Sequence, residues 1–209
     1  MVFPPGCALA PPEKAPRWDE TDSNEKDGIE MAAFNTPGGY GWISRLAHWL
    51  TVALILAVLG VAAVMEGTPR LYGLHKSLGV LVLGLGTIRI ALALVQTWPR
   101  PIGLPAWLAP AVKAEKMLLL AWLVAMPLSG WAMTSAAGRA LAPFGLFTLP
   151  ALVAADPGLA HTLREGHELL AHLGIAVIVL HAGAALWHHF IRKDATLMRM
   201  LTGVPDQEP

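Results

Sequence analysis

The chain has 209 residues and a net charge of zero, and 55% of its residues are hydrophobic whereas 14% are charged. This balance is too apolar for an ordinary soluble domain, because too little polar surface would remain to face water. Zero net charge gives no electrostatic basis for binding nucleic acid. The single cysteine, Cys7, excludes an intrachain disulfide and any iron–sulfur or zinc site built from cysteines.

Residues 1–40 predict a disordered N-terminal tail, because they are rich in proline and charge. They include PPG, PPEKAP and an acidic run from Asp19 to Glu30, and they lack the apolar centre of a cleavable signal peptide. The tail is either a regulatory arm or the result of a start codon assigned upstream of a true start at Met31, and we favour the second. Residues 202–209 predict a short C-terminal tail.

Four apolar segments within residues 41–201 predict membrane-spanning helices, since each approaches the ~20 residues that cross a bilayer. The predicted helices cover about residues 43–66, 72–96, 112–136 and 160–192. Proline and glycine punctuate the connections between them. The alternative, buried helices of a large soluble core, would leave almost no polar surface. The prediction is therefore an all-α, integral-membrane four-helix bundle.

Lysine and arginine are unevenly distributed between the two sides of this bundle. One side holds Arg45, Arg100, Lys113, Lys116, Arg192, Lys193 and Arg199. The other side holds Arg70, Lys76, Arg139 and Arg164. The richer side is expected to be cytoplasmic. Both termini are then cytoplasmic, which agrees with an even number of spans.

The fourth helix has histidines placed inside a long apolar run. His167 and His181 are fourteen residues apart, close to four helical turns, so they share one face and lie ~21 Å apart along the axis. Imidazoles at two depths of a ~30 Å hydrocarbon core need partners, because unpartnered polar groups are costly there. Two stacked haems, each taking one axial ligand from this helix, would supply such partners.

Two other histidines lie at matching depths. His75 is near the outer end of the second helix and His48 near the cytoplasmic end of the first. Depth therefore pairs His75 with His167, and His48 with His181. Each pair can hold one b-type haem iron between two neutral imidazoles. One such histidine alone would be read as a hydrogen-bonded packing residue, but four at matching depths favour bis-histidine ligation.

Two further side chains are expected near the inner haem. Arg89 follows His75 by fourteen residues, so it shares that face at inner depth, where a haem propionate is a natural partner. His188 continues the stripe of His181 at the cytoplasmic surface. It could bond a propionate or line a quinone pocket, or it could be a solvated interfacial histidine.

Three glycines and one histidine allow less specific predictions. Gly79, Gly86 and Gly174 lie on or near the haem-facing stripes, where small residues admit either a flat macrocycle or a neighbouring helix. His172 points away from His167 by ~140° at 100° per residue. It is expected to be a packing or interfacial residue.

Several motifs together resemble the bacterial cytochrome b561 family, four-helix di-haem proteins of the inner membrane. They are NTPGGYGWISRLAHWL, LHKSLG, a single arginine late in the second helix, PLSGW, GHELLAHLGIAVIVLHAGAALWHHF and KDATLMRM. Matched by motif, the family's haem ligands fall on His48, His75, His167 and His181. The resemblance implies electron transfer across the inner membrane by two haem b groups, with ubiquinone as an acceptor. Some relatives look like superoxide oxidases that reduce ubiquinone, and others look like partners of periplasmic isoprenoid-binding proteins.

The third helix departs from the pattern of several relatives, which carry a histidine early in it and a tyrosine one turn later. Lys116 and Leu120 occupy those positions here. The departure puts in doubt any quinone or proton role of this helix and leaves the four ligands unaffected.

The leading hypothesis is an oxidoreductase or electron carrier that moves electrons between a periplasmic donor, with superoxide as one candidate, and membrane quinone. A second hypothesis is a haem-bearing membrane anchor for a soluble dehydrogenase or hydrogenase. A third is a transporter with a histidine proton relay and no haem.

Overall fold

The computed structural model describes residues 33–203, so residues 1–32 and 204–209, which include most of the predicted tails, lie outside the described residues. The described chain forms four long helices. They are α1 (Trp42–Val64), α2 (Pro69–Val95), α3 (Ala109–Ala136) and α4 (Pro157–Trp187). A four-residue helix, α5 (Met198–Leu201), follows. Within residues 33–203 the only β-type pairing is an isolated bridge between Leu141 and Leu149.

The three later long helices begin earlier than their apolar runs, at residues 69, 109 and 157 instead of about 72, 112 and 160. Each has a proline in its first turn, where the missing N–H leaves no intrahelical bond unmade. Asp156 also caps α4, because its carboxylate accepts hydrogen bonds from the backbone N–H groups of Gly158 and Leu159 at 2.8 and 3.0 Å. The starts predicted from hydrophobicity are therefore about three residues too late.

The last membrane helix is longer than a bilayer needs. α4 continues through a π-helical turn, His188–Arg192, which ends at Lys193 in a left-handed conformation with φ of 56°. The whole span, Pro157–Arg192, has 36 residues, or ~54 Å at 1.5 Å per residue. It therefore extends beyond a ~30 Å hydrocarbon core.

The long helices pack in chain order, α1 on α2, α2 on α3 and α3 on α4. The small buried core consists of Val82, Leu120 and Leu123, whereas Leu94 and Leu180 are 76% and 71% exposed. Apolar side chains on the outside of a helical bundle are suited to a lipid surround. All four helices are long and apolar enough to cross a membrane, which confirms the predicted all-α, four-span architecture.

Two of the three glycines noted in the sequence serve helix packing. A Cβ on Gly86 would lie 3.0 Å from the Cβ of Leu123, and one on Gly174 would overlap the ring of Trp122. The Trp122 indole also donates to the carbonyl of Leu170 on α4 at 2.8 Å. Gly79 has no neighbour within 4 Å of such a Cβ. Gly86 and Gly174 thus bring α3 close to α2 and α4, as ordinary packing through small residues does.

Residues 33–40, which the sequence analysis assigned to the tail, form turns against one end of the bundle. The backbone N–H of Asn35 donates to Oε1 of Gln96, and the carbonyl of Pro37 accepts from the N–H of Arg100 at 3.1 Å. The C-terminal segment reaches the same end, where the Trp49 indole donates to the carbonyl of Met200. Both ends of the described chain therefore lie on one side of the bundle.

Candidate functional site

Two histidine pairs cross the interior of the bundle. His48 on α1 faces His181 on α4 with ring centroids 6.4 Å apart, and His75 on α2 faces His167 on α4 at the same distance. We call His48–His181 the inner pair, because it is nearer the end that holds residues 33–40 and α5. His75–His167 is the outer pair. The structure thus brings together the residues that depth paired in the sequence.

The separation of the rings suits an iron between them. Two metal–nitrogen bonds of about 2 Å each, together with the radius of each imidazole ring, place the two centroids about 6 Å apart. The observed 6.4 Å agrees for both pairs. The interplanar angles are 57° for the inner pair and 79° for the outer pair. The donor set, two imidazoles on opposite helices, is one that b-type haem takes.

The inner pair lies between two charged side chains. Nδ1 of His181 is 2.8 Å from Oε1 of Glu115 on α3, and Nδ1 of His48 is 3.4 Å from an amino group of Arg89 on α2. With Nδ1 of His181 as the donor to this carboxylate oxygen, the lone pair of a neutral imidazole is on Nε2. A lone pair on Nε2 is what an iron ligand requires.

The outer pair has neutral neighbours. The Ser129 hydroxyl donates to the carbonyl of Met126 at 2.7 Å, and its oxygen lies 2.8 Å from Nδ1 of His167. Because a hydroxyl has one proton, that oxygen accepts from His167 Nδ1, and Nε2 is again free to bind a metal. Nδ1 of His75 is buried and has no hydrogen-bond partner among the described residues.

Comparison with known proteins decides the family. The family model described as prokaryotic cytochrome b561 matches residues 39–203. The chain belongs to the prokaryotic cytochrome b561 family. This membership confirms the resemblance seen in the sequence, and it makes the protein a bacterial inner-membrane cytochrome whose family cofactor is b-type haem.

Three relatives illustrate the breadth of the b561 match. Cytochrome b561 homolog 2 of Escherichia coli (strain K12) is 33% identical over 182 residues, which are 82% of this chain and 95% of the relative. A probable superoxide oxidase, CybB, of Yersinia pestis is 32% identical over 74% of this chain and 90% of the relative. Cytochrome b561 homolog 1 of E. coli K12 is 29% identical over 74% and 92%.

His188 of this cytochrome is bonded to a carboxylate. Its Nδ1 lies 2.6 Å from Oδ2 of Asp194 and 3.4 Å from the hydroxyl of Thr196, and its side chain is only 11% exposed. Burial raises the pKa of Asp194, but hydrogen bonds from Thr196 and His188 outweigh burial and hold that pKa below its ordinary value. The left-handed Lys193 turns the chain back after the π-helical turn, which lets Asp194 reach His188. In the structure His188 is therefore a side chain bonded to Asp194 and not a solvated one.

The other two histidines of α4 lie outside the pairs. His172 is exposed, and its Nδ1 contacts the carbonyl of Glu168 on its own helix at 2.8 Å. His161 is exposed and lies 3.3 Å from Glu165. Neither side chain contacts the paired imidazoles.

The helix position that departs from the family pattern has a phenol beside it. Nζ of Lys116 donates to the hydroxyl of Tyr40 at 3.0 Å. Tyr40 comes from the segment before α1, so this bond joins that segment to α3. Lys116 is thus paired inside the protein at the same end as the inner pair.

A basic cavity opens at the other end, beside the outer pair. Its volume is about 480 Å³, and its lining is formed by Gly67, Pro69, Tyr72, Gly73, Lys76 and Arg139. Lys76 directly follows the paired His75. Of the other cations predicted on this side, Arg164 is bound to Glu168 at 2.9 Å. The positive lining would attract an anion toward the outer pair.

The sequence analysis missed the partners of the paired histidines. Glu115 stands between two lysines, which is typical of a solvated face, and Ser129 is part of the PLSGW motif without a distinguishing charge. Asp194 lies in the KDATLMRM motif, where nothing in the sequence singles it out. One usable signal was the position of Glu115 inside a membrane helix, because an intramembrane carboxylate normally has a partner.

Proposed function

We propose that the protein carries electrons across the inner membrane through two haem b groups, one held by each histidine pair. The observation that carries this proposal is the recurrence of one geometry at two depths: two facing imidazoles with centroids 6.4 Å apart. Haem b supplies one-electron redox chemistry when bound. A proton-relay transporter without haem is not favoured, because the family is one of cytochromes.

The chain's own residues hold and orient the two groups. His167 and His181 supply one ligand each from a single helix, so their spacing along α4 sets the spacing of the haems at ~21 Å along the axis. Glu115 and Ser129 fix the orientation of those two imidazoles through Nδ1. Arg89, half-buried beside His48, is placed to bind a propionate of the inner haem.

For the donor we propose superoxide, arriving at the outer pair. The cavity beside His75 is lined by Lys76 and Arg139, and positive charge steers a small anion. The Yersinia pestis relative is named a probable superoxide oxidase. Each superoxide gives up one electron and leaves as dioxygen, so two are needed for each quinone reduced.

For the acceptor we propose ubiquinone at the inner end, on the cytoplasmic side predicted from the charge bias. Reduction of one quinone to quinol takes two electrons and two protons. The His188–Asp194 pair, at the end of the helix that carries His181, holds a proton between Nδ1 and Oδ2 at 2.6 Å. It is placed to pass protons from the cytoplasmic surface to a quinone bound nearby.

Superoxide-driven quinone reduction by the purified protein tests this donor and acceptor. An enzymatic flux of superoxide should reduce the haems and form ubiquinol, and Lys76→Gln with Arg139→Gln should slow haem reduction about tenfold or more at low salt. Arg164→Gln is the matched control, because its charge is already paired with Glu168. Haems that stay oxidised under superoxide but accept electrons from another donor would contradict superoxide as substrate.

A further inference from the structure

Glu115 is a carboxylate inside a membrane-spanning helix. Its Oε1 lies 2.8 Å from Nδ1 of His181, and the two side chains are 33% and 35% exposed. A charge in a membrane helix is costly unless it has a partner, and His181 is the partner that the structure gives it. The contact joins α3 to the ligand helix α4 at the inner pair.

The corresponding contact at the outer pair is uncharged. His167 donates from Nδ1 to the hydroxyl oxygen of Ser129, so the two imidazoles of α4 have different partners, a carboxyl group on His181 and a hydroxyl group on His167. Both acceptors come from α3, and both bind the same ring nitrogen. The two histidine sites are therefore alike in geometry and different in electrostatics.

A hydrogen bond from a metal-bound imidazole to a carboxylate makes the ring a stronger electron donor, which stabilises the oxidised metal. A neutral hydroxyl does this less. We propose that Glu115 is a positioning residue that orients His181 and lowers the reduction potential of the inner haem relative to the outer haem. The inference rests on the proposed haem-binding function and assigns to Glu115 the tuning of one of its two centres.

The opposing charge at the inner pair is Arg89, 3.4 Å from Nδ1 of His48. Its positive charge favours the reduced centre and acts on the other axial ligand. A substitution at Glu115 leaves Arg89 in place, so it isolates the carboxylate. Reduction adds one electron and breaks no bond, and the proton stays between His181 Nδ1 and Glu115.

The consequence is a direction for the electron. A lower potential makes the inner haem the stronger reductant, which favours delivery to an acceptor at that end of the bundle. An outer haem of higher potential accepts more readily from a donor at the basic cavity. Through Glu115, the outer haem would be the better electron acceptor and the inner haem the better electron donor.

The test is a potentiometric titration of the full-length holoprotein carrying Glu115→Gln, followed by visible and electron paramagnetic resonance spectra. We expect one haem to become easier to reduce by about tenfold in its equilibrium constant, or about 59 mV for one electron. Repeating the titration in the His167→Ala background, which retains the inner pair, identifies that haem as the inner one. Ser129→Ala is the matched control, and it should leave the inner haem's potential unchanged.

Two retained haems with unchanged potentials in Glu115→Gln would overturn the proposal while leaving the proposed function intact. If Glu115→Gln loses the inner haem, the Glu115→Asp variant decides whether the carboxylate is what the site requires. Retention of both haems at near wild-type potentials in Glu115→Asp supports positioning by the charge. Loss of haem from both variants would show that Glu115 supports the fold and would overturn its role in the potential. A wild-type protein without haem would instead contradict the proposed function.

Discussion

At the scale of single residues, each of the two ligand-candidate histidines of α4 is held by a residue of α3. His181 and His167 both donate from Nδ1 to acceptors on α3, which leaves Nε2 as a ligand. His75 keeps a buried ring nitrogen without a partner among residues 33–203. The outer pair thus differs from the inner pair, in which both Nδ1 atoms have a partner.

Removal of one imidazole should therefore remove one haem. His167→Ala deletes a ligand of the outer pair and leaves His48 and His181 facing each other, so the haem content should fall from two per chain to one. His172→Ala, a change on the same helix at an exposed side chain, should retain two. Haem extraction and quantification per chain measures both variants, and equal content in His167→Ala and wild type would refute the pairing.

The histidine pairs could be predicted from the spacing of residues, but the side chains that hydrogen-bond to those histidines could not. His167 and His181 share a face because fourteen residues are close to four turns, and that follows from the sequence alone. Which side chain of α3 reaches Nδ1 at each depth depends on how α3 packs and turns against α4. Glu115 and Ser129 could be identified only once that packing was known.

At the scale of helices, the close approach of α3 and α4 depends on Gly174. The Trp122 ring occupies the space where a Cβ would lie on Gly174, and its indole bonds to Leu170 of α4. The positions of Glu115 and Ser129 beside the two ligands depend on this contact, because both residues are on α3. The helix starts were predicted too late along the chain for a different reason. First-turn prolines such as Pro69 and Pro157 contribute no hydrophobicity to the pattern.

Enlarging this glycine should separate the two helices. Gly174→Ala is expected to destabilise the protein by about 1–3 kcal/mol, the usual cost of overpacking. Gly183→Ala lies on the same helix with nothing within 4 Å of its added Cβ, so it should be neutral or stabilising by up to about 1 kcal/mol. Thermal unfolding in detergent compares the two, and equal stabilities would contradict the packing role of Gly174.

At the scale of the whole molecule, both ends of the described chain meet at one end of the bundle. The segment 33–40 bonds to the connector after α2, and α5 lies beside Trp49 of α1. Residues 33–40 were predicted to belong to the tail because residues 1–40 as a whole are rich in proline and charge. Long-range bonds such as Asn35 to Gln96 cannot be read from local composition.

The membrane orientation is a prediction from the Lys/Arg bias, which places this end of the bundle in the cytoplasm. A fluorescent reporter that folds only in the cytoplasm, fused after Pro209, should therefore be bright. The same reporter inserted in the loop between α3 and α4 should be dark. The reverse pattern would place the basic cavity on the cytoplasmic side and contradict a periplasmic donor.

The central claim is that each of two histidine pairs holds one haem b. A reduced-minus-oxidised visible spectrum of the purified membrane protein, with haem quantified per chain, tests it most directly. If both pairs hold haem, the spectrum is that of low-spin b-type haem, with two haems per chain. One haem per chain would contradict the second site, and a colourless protein would contradict the claim entirely.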